Sequence, residues 1–557
     1  MIQPFQHTIP VALGILAAVE AKGLPRHRCT YGEDCWPDVQ TWDKFNATVG
    51  GKLIRSVPSA AVCHTELYNA DKCADAKHSW LDSFWRTNQT GAYSATVWEM
   101  GETGQCFIDT PVGAKCDQGI VPYYMVRAES VKDIQASVKF ASEKDLLLVT
   151  KNTGHDHLGR SSGKGAFGIW THKMKGIEWH RSFVPHGAPA DVDGIPAATL
   201  QPGEQWFDVY NAAEKQGVLI VGGSARTVGA AGGYLLGGGH SPFAHTYGLA
   251  ADNLLEMTIV SADGEHRVIN RFTDPDYFWA VRGGGGSAWG VVTSVTYKTH
   301  PVPRNLTVGL VQLNATDTPS FKHIVAEALQ RLPAVTDAGW AGYATMAEGF
   351  GAIFIKPNST VESFNQTFAS FYKLAQHHGV NGTVGAYQST WGGYIKNFLK
   401  DPNIGTNVQD TSRLLTAEVI KKNTDQLVDF IVENAPAAGF DFVGKVNNDE
   451  RDNTAIHDVW KHSHGLLSVS TNWADNATES EKHKKRQQAV QHSNRLTEIV
   501  GSDGGTYTNE ANPYEPDWQN VFWGQKYDRL LSIKQKIDPT NLFVCNRCVG
   551  TDVVLEP

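Results

Sequence analysis

The sequence predicts an α+β fold in two lobes, and three observations carry that reading. The chain has 557 residues, more than one compact core accommodates. Between about residues 122 and 300, short apolar strands alternate with amphipathic helices and glycine-dense loops. From about 301 to 500 the glycine clusters thin out, and longer helical segments alternate with strands, which marks a second lobe. Residues 505–557 return to a Tyr-, Asn- and Trp-rich stretch that ends in two cysteines.

Hydrophobic residues make up 41% of the chain, a globular share that excludes a disordered polymer. The net charge of −9 argues against a nucleic-acid partner, because phosphate binding needs a basic face. Residues 9–19 form an apolar run too short to span a bilayer, and no later segment is apolar enough. The run ends at Val19, and Glu20 and Ala21 follow; with the small residues Val19 and Ala21 at the −3 and −1 positions, residues 1–21 read as a secretory signal peptide, with a short buried helix as the alternative. Eight N-x-[ST] sequons, at Asn46, Asn88, Asn305, Asn314, Asn358, Asn365, Asn381 and Asn476, agree with export. None falls between residues 89 and 304, which assigns the middle third to buried or functional structure.

Eight cysteines cluster near the chain ends, an even count that suggests disulfides in an exported protein. Cys63–Cys73 and Cys106–Cys116 are candidate local loops. Cys29, Cys35, Cys545 and Cys548 are candidates for tying the two termini together. Cys545 and Cys548 could instead form half a zinc site or a redox pair.

The elements follow in order. Residues 123–126 read as a strand. Ser130-x-x-Asp133 resembles a capping box, with Val131, Ile134, Val138 and Ala141 on one helix face. Residues 146–151 form an apolar strand that leads into Asn152-Thr-Gly-His-Asp-His-Leu-Gly159-Arg-Ser-Ser, and residues 167–171 are a strand again. A helix over 204–216 stops at Gly217, and residues 218–221 read as a buried strand. A glycine-dense run fills 222–240. Asp263-Gly264 marks a hairpin between 254–261 and 266–269.

Three of the glycine-rich loops follow strands. Consecutive N–H groups in such loops form anion-binding nests, and glycine lets a large planar ligand approach the backbone. The pyrophosphate of a dinucleotide fits that description. Gly163-Lys-Gly-Ala-Phe-Gly168 has the G-x-G-x-x-G spacing, but it runs into the strand over 167–171 rather than from a first strand into a helix, so the glycine runs do not fit the Rossmann unit. Gly159-Arg-Ser-Ser-Gly163-Lys164-Gly165 has three residues between its first two glycines where a phosphate loop needs four, and no Ser or Thr after the lysine. Gly159-Arg-Ser-Ser-Gly163 has the G-x-S-x-G spacing of a serine-hydrolase elbow, but it lies in the polar turn between the strands over 146–151 and 167–171 rather than on a strand-to-helix turn.

Taken together, the motifs resemble the vanillyl-alcohol-oxidase (PCMH-type) superfamily. Val149-Thr-Lys-Asn-Thr-Gly-His155-Asp-His-Leu-Gly-Arg looks like its first FAD loop, and Thr227-Val-Gly-Ala-Ala-Gly-Gly-Tyr-Leu-Leu-Gly-Gly-Gly239-His240 looks like its second. Tyr247-Gly-Leu-Ala-Ala-Asp252-Asn, residues 274–286 and Trp289-Gly-Val-Val continue the match in order. Tyr507-Thr-Asn-Glu and residues 527–543 resemble the C-terminal segment of the berberine-bridge-enzyme-like subgroup.

The resemblance implies a PCMH-type FAD-binding domain of two α/β subdomains over 22–300, with a Cys-rich N-terminal extension. It implies a substrate domain over 301–504, an antiparallel sheet covered by helices, and a segment over 505–557 that returns to the FAD domain. FAD contacts are expected from Asn152, Thr153, Gly154, His155, Asp156, Gly159 and Ser161 of the first loop. Thr227, Val228, Gly229, Gly232, Gly233, Tyr234, Gly237, Gly238, Gly239 and His240 of the second loop are expected to join them. Gly248, Leu249, Asp252, Gly290, Val291, Val292 and Asn541 complete the expected set.

In that family the histidine of the first loop carries FAD through an 8α bond, which maps onto His155. A turn histidine, or a metal pair with His157, is the alternative. Many relatives add a cysteinyl link just before Thr-Val-Gly, where this chain has Ala225, so a single link is expected. No metal is expected. The implied activity is transfer of hydride from an alcohol, carbohydrate or related small molecule to FAD, with O2 reduced to H2O2, by a secreted monomer. Tyr507 is the first candidate for the base, with Asn509 a flavin or substrate contact; Glu510, Asp449 and His240 are further candidates. Tyr507 could also be a core strand aromatic, and His240 a packing residue beside the phosphate loop. A dehydrogenase or oxidative cyclase of secondary metabolism, or a non-catalytic flavin-binding protein, are the competing readings.

Overall fold

A computed structural model describes residues 27–101, 104–401, 404–444 and 454–551. The expected signal peptide and Asp449 lie outside the described residues.

Ser130 opens the helix Val131–Glu143 by accepting a hydrogen bond from the Asp133 N–H at 3.3 Å. Ile134, Val138 and Ala141 are buried on its inner face, as their spacing predicts. The helix covers a sheet of four strands in the order Leu53–Arg55, Tyr124–Arg127, Phe167–Trp170 and Leu148–Lys151. The first pair is antiparallel and the other two pairs are parallel. A second sheet is antiparallel throughout, in the order Ile177–Phe183, Ile195–Leu200, Val291–Lys298, Leu254–Val260 and His266–Ile269. Asp263-Gly264 makes the expected hairpin turn, with Gly264 at φ +75°. The helix Trp206–Gln216 ends at Gly217, whose φ of +67° is the left-handed cap a glycine supplies.

The expected strand over 218–221 differs. Only Val218–Leu219 pairs, with His300–Pro301, in a two-stranded ribbon. Ile220 and Val221 are instead buried in the core at the approach to the second glycine loop.

The third sheet has seven antiparallel strands, ordered Val380–Ser389, Leu306–Ala315, Gly349–Pro357, Ala341–Thr345, Ala438–Phe442, Ser463–Trp473 and Asn407–Thr416. The helices Thr318–Asp337, Thr424–Asn434 and Glu479–Val500 bury their apolar faces against it. The last of these begins at a Thr478/Glu481 capping box. This is the α+β architecture that the alternation and the change of texture predict.

The cysteines form four local disulfides: Cys29–Cys35, Cys63–Cys73, Cys106–Cys116 and Cys545–Cys548. The two inner pairs are those the spacing indicates. The terminal four correct the expectation of a covalent tie between the ends, and Cys545 and Cys548 close on each other rather than on a metal. The ends are joined by polar contacts instead: the Arg28 guanidinium donates to the Thr540 carbonyl.

The C-terminal segment is locked to the seven-stranded sheet by Arg413, fully buried, which donates to both Glu515 oxygens at 3.0 and 2.7 Å. Removing one member of such a pair leaves an uncompensated buried charge. Glu515→Ala is expected to cost about 3–5 kcal/mol, read as a lowered midpoint in thermal or denaturant unfolding.

Candidate functional site

The two glycine-rich loops and the C-terminal segment line a partly open cavity whose empty space, counted out into solvent, is about 1180 Å³. The first loop leaves the strand Leu148–Lys151 and turns at Gly154, φ +86°. Asp156 holds it closed: its carboxylate accepts from the N–H groups of Leu158 and Arg160 at 3.0 and 2.8 Å, and from Arg160 Nε at 2.7 Å. Those donors keep Asp156 ionised although burial opposes the charge. Arg160 then donates to Asn509 Oδ1 at 3.0 Å. Asn509 in turn donates to the carbonyls of Gly233 and Tyr234 at 3.0 and 3.2 Å, and to the Tyr507 phenol oxygen at 2.9 Å. One side chain thus clasps the first loop, the second loop and the C-terminal segment.

Of the expected cofactor residues, Asn152, Thr153, Gly154, His155, Asp156, Ser161, Val228, Gly229, Gly232, Gly233, Tyr234, His240, Gly290 and Val292 line the cavity, together with Tyr507, Asn509 and Glu510. The remainder stand behind it. Gly159 sits where a Cβ would meet the Trp98 ring at 2.6 Å, and Gly237 where it would meet Asn509 at 2.3 Å. Gly238 and Gly239 turn the second loop at φ +115° and +71°. Thr227 backs His155, and the Leu249 N–H donates to Asp252 at 2.8 Å in the turn that follows Gly248. Val291 points away from the cavity into the neighbouring core. Asn541, at φ +52°, donates to the Gly550 carbonyl at 2.8 Å and shapes the C-terminal turn; it is not part of the cavity wall, because that conformation closes a local turn.

The wall suits a large planar dinucleotide. At Gly232 and Gly233 a Cβ would point into open space, so any side chain there would narrow the cavity. Asn152 Oδ1 and His240 Nδ1 are buried without a hydrogen-bond partner, two orphaned atoms at a ligand-sized opening. Ala225 also lines the wall and offers no thiol.

Two histidines in the first loop differ sharply. His155 Nε2 lies 2.7 Å from Thr227 Oγ1, and burial pushes its pKa down to about 4, so the ring is neutral. His157 Nδ1 lies 2.8 Å from Asp410 Oδ2. Burial opposes its charge too, but the hydrogen bond and charge of Asp410 outweigh it and raise the pKa to about 9. His157 is therefore held as an imidazolium by a carboxylate from the third sheet, not paired with His155 around an ion.

A second cluster closes the other side. His240 Nε2 lies 3.1 Å from Glu510 Oε1, and the ligand atoms of His240, Asp441 and Glu510 fall within 4.8 Å of one another. Burial, then the charge of Glu510, raises the Asp441 pKa to about 7. Tyr507 is buried in a loop rather than a strand, with its ring 4.8 Å from that of His240. Burial raises its phenol, although Asn509 and the backbone N–H groups of Gly239 and His240 all face its oxygen. Sequence reasoning missed Asp410 and Asp441. Each is a single carboxylate in a strand, without a local motif.

The fold and the wall together define a flavin-dinucleotide-binding protein. Residues 122–270 match the FAD binding domain family, and 506–549 match the family described as berberine and berberine like. An uncharacterized FAD-linked oxidoreductase of Arthroderma benhamiae is 57% identical over 98% of both chains. FAD-linked oxidoreductase patO of Aspergillus clavatus is 33% identical over 94% of this chain and 92% of its own. The VAO-type flavoprotein MtVAO615 of Myceliophthora thermophila superimposes with a TM-score of 0.87, at 29% identity over 94% of this chain and 97% of its own. Glucooligosaccharide oxidase of Acremonium strictum, described with a 6-S-cysteinyl, 8α-N1-histidyl FAD, shares the fold at a TM-score of 0.62 and 21% identity, over 77% of this chain and 91% of its own. The chain belongs to the FAD-linked oxidoreductases of the vanillyl-alcohol-oxidase and berberine-bridge-like type. It binds FAD and acts on a small molecule.

The His157–Asp410 pair carries a pH signature. The folded pKa of His157, about 9, exceeds its ordinary value, so the stabilisation is complete below that ordinary value and is lost as pH rises through about 9. The Tm difference between the wild type and Asp410→Asn is expected to be largest near pH 6 and to shrink above pH 9, as scanning calorimetry across that range will show.

Proposed function

We propose that the chain is a secreted, monomeric oxidase. It takes hydride from a hydroxyl-bearing carbon of an alcohol, carbohydrate or related small molecule, through FAD carried on His155 by one covalent bond. One observation carries the reading: the neutral imidazole of His155 and the His240–Glu510 pair line the same cavity, with the Asp441 carboxylate within 4.8 Å of that pair. Bound FAD supplies a two-electron acceptor that takes the hydride and passes the electrons to dioxygen, giving hydrogen peroxide.

The protein's own groups do the rest. Asp441, with a pKa of about 7, is the group best matched to take the substrate hydroxyl proton, and the His240–Glu510 pair shares that proton. Tyr507 is better suited to donate. Its oxygen accepts from Asn509 at 2.9 Å, and burial keeps it in the protonated form, with a proton to offer the substrate oxygen. The imidazolium of His157 supplies fixed positive charge to the cavity, where negative charge develops when electrons enter. The Asn509 clasp keeps the loops in register and keeps bulk water from between them. A single flavin link is supported by Ala225 in the cavity wall. Export is supported by the sequons: all eight asparagines are exposed or half-buried, and none borders the cavity.

Anaerobic bleaching with a panel of alcohols, oligosaccharides and phenolics, followed by peroxide measurement on readmitting air, tests the reading. Bleaching without peroxide would replace the oxidase with a dehydrogenase. The rate of flavin reduction is expected to rise with pH through about 7, as Asp441 loses its proton. Asp441→Asn should lower that rate about 10²-fold and abolish the rising limb, while Tyr507→Phe should cost less, about tenfold. If Tyr507→Phe abolishes the limb and Asp441→Asn does not, the two roles are reversed.

His155→Ala is expected to bind flavin that separates completely from the protein in trichloroacetic acid. Acid-stable yellow colour in that variant would place the link on another residue.

A further inference from the structure

Asp401 enters the site from the second lobe, just beyond the helix Trp391–Phe398, and its carboxylate is almost completely enclosed, at 2% exposure. Four donors surround it. Oδ1 accepts from the Thr227 N–H and the Thr227 hydroxyl, both at 3.0 Å. Oδ2 accepts from Ser83 Oγ at 2.8 Å and Arg226 Nε at 3.1 Å. Burial opposes the negative charge, yet these partners hold Asp401 ionised.

An ionised carboxylate only accepts, so the single hydroxyl proton of Thr227 points at Asp401. The Thr227 oxygen therefore offers a lone pair to the atom on its other side. That atom is His155 Nε2, at 2.7 Å. Nε2 must then carry the ring's proton, and Nδ1, across the ring, keeps a free lone pair. Neither Thr227 nor Asp401 borders the cavity.

We propose that Asp401, acting through the Thr227 hydroxyl, is the positioning residue that selects the nucleophilic tautomer of His155 for attachment to FAD. The proposal rests on the reading that His155 carries the flavin. In the attachment step, the Nδ1 lone pair forms a bond to the 8-methyl carbon and one C–H bond of that methyl breaks. The C–H electron pair and its proton pass to the isoalloxazine ring, which is thereby reduced by two electrons, and the imidazole becomes a cation that still holds its Nε2 proton. Dioxygen then accepts the two electrons, with one proton from the reduced ring and one from Nε2, and leaves as hydrogen peroxide. The cation forms two hydrogen bonds from Asp401, so the same relay that fixes the tautomer also favours the charge that appears on bonding.

The test compares the wild type with Thr227→Val, Thr227→Ser and Asp401→Asn, each purified as produced. Intact mass follows the growth of the flavin adduct with added FAD, and native absorbance records total bound flavin. Thr227→Val and Asp401→Asn are expected to bind flavin but to attach it about 10²-fold more slowly, while Thr227→Ser, which keeps the hydroxyl, attaches it near the wild-type rate. Wild-type rates in both slow variants would overturn the proposal, as would a Thr227→Ser variant as slow as Thr227→Val. If Asp401→Asn does not fold, the Val and Ser variants at position 227 decide alone. Peptide mapping of the wild type separates the two levels. Absence of an adduct at His155 overturns the underlying reading together with this one, whereas an adduct there that is indifferent to Thr227 and Asp401 overturns only this one.

Discussion

Everything at the site depends on one amide side chain. Asn509 takes a hydrogen bond from Arg160 of the first loop and gives hydrogen bonds to two carbonyls of the second loop and to the Tyr507 phenol. Arg160 is itself fixed by Asp156, so the clasp ends in a closed network of charged and polar partners. Every side chain in it is buried or half-buried, and such a network is stable only when all of its members are satisfied. The returning C-terminal segment thus joins the two glycine-rich loops, whose backbone entropy is high, in a single clasp. The Arg413–Glu515 pair then anchors that segment to the third sheet, so the cavity is fixed against both lobes.

Within the cavity, the identity of the hydrogen-bond partner decides the charge. His155 and His157 are two residues apart in one loop, and burial disfavours the cationic form of both. His155 meets a hydroxyl and stays neutral, whereas His157 meets a carboxylate and becomes cationic. The same logic separates the acids. Asp156 and Asp410 have cationic partners and stay ionised, while Asp441 faces the like charge of Glu510 and is pushed toward the proton-sharing range. A neutral imidazole, a fixed cation and a carboxyl near neutrality thus arise from ordinary side chains through burial and the choice of partner.

That division also explains what could be read from the sequence. The loops around Gly154 and Gly232 were legible because turning the backbone at positive φ needs glycine at particular positions, which is a local property. The helix Val131–Glu143 was legible from its period and its cap. Asp410 reaches His157 across 253 positions and Asp401 reaches Thr227 across 174, through strand pairing and lobe docking that no short window encodes. Asn541 and Val291 stand outside the cavity wall for the opposite reason. They sit in stretches that resemble cofactor-binding segments, but one closes a turn and the other faces a separate core. The terminal cysteines show the same limit, since pairing follows proximity in space and each found its partner within a few residues.

The origin of the groups also separates cofactor handling from substrate handling. His155, Thr227 and the glycine loops come from the first lobe, and Tyr507, Asn509 and Glu510 from the returning segment. Asp410 and Asp441 come from strands of the seven-stranded sheet, Asn407–Thr416 and Ala438–Phe442. Side chains alternate along a strand, so every second neighbour of these two acids faces the same side of the sheet. Tyr343, which pairs in register with Asp441, therefore shares a face of the sheet with it, and its ring lies 6.3 Å from that of His240. Changes on that face can alter which molecule is oxidised while the flavin, gripped by the other two segments, remains in place. On the proposed reading, selectivity belongs to the sheet over 306–473, and retention of the cofactor to the two glycine-rich loops.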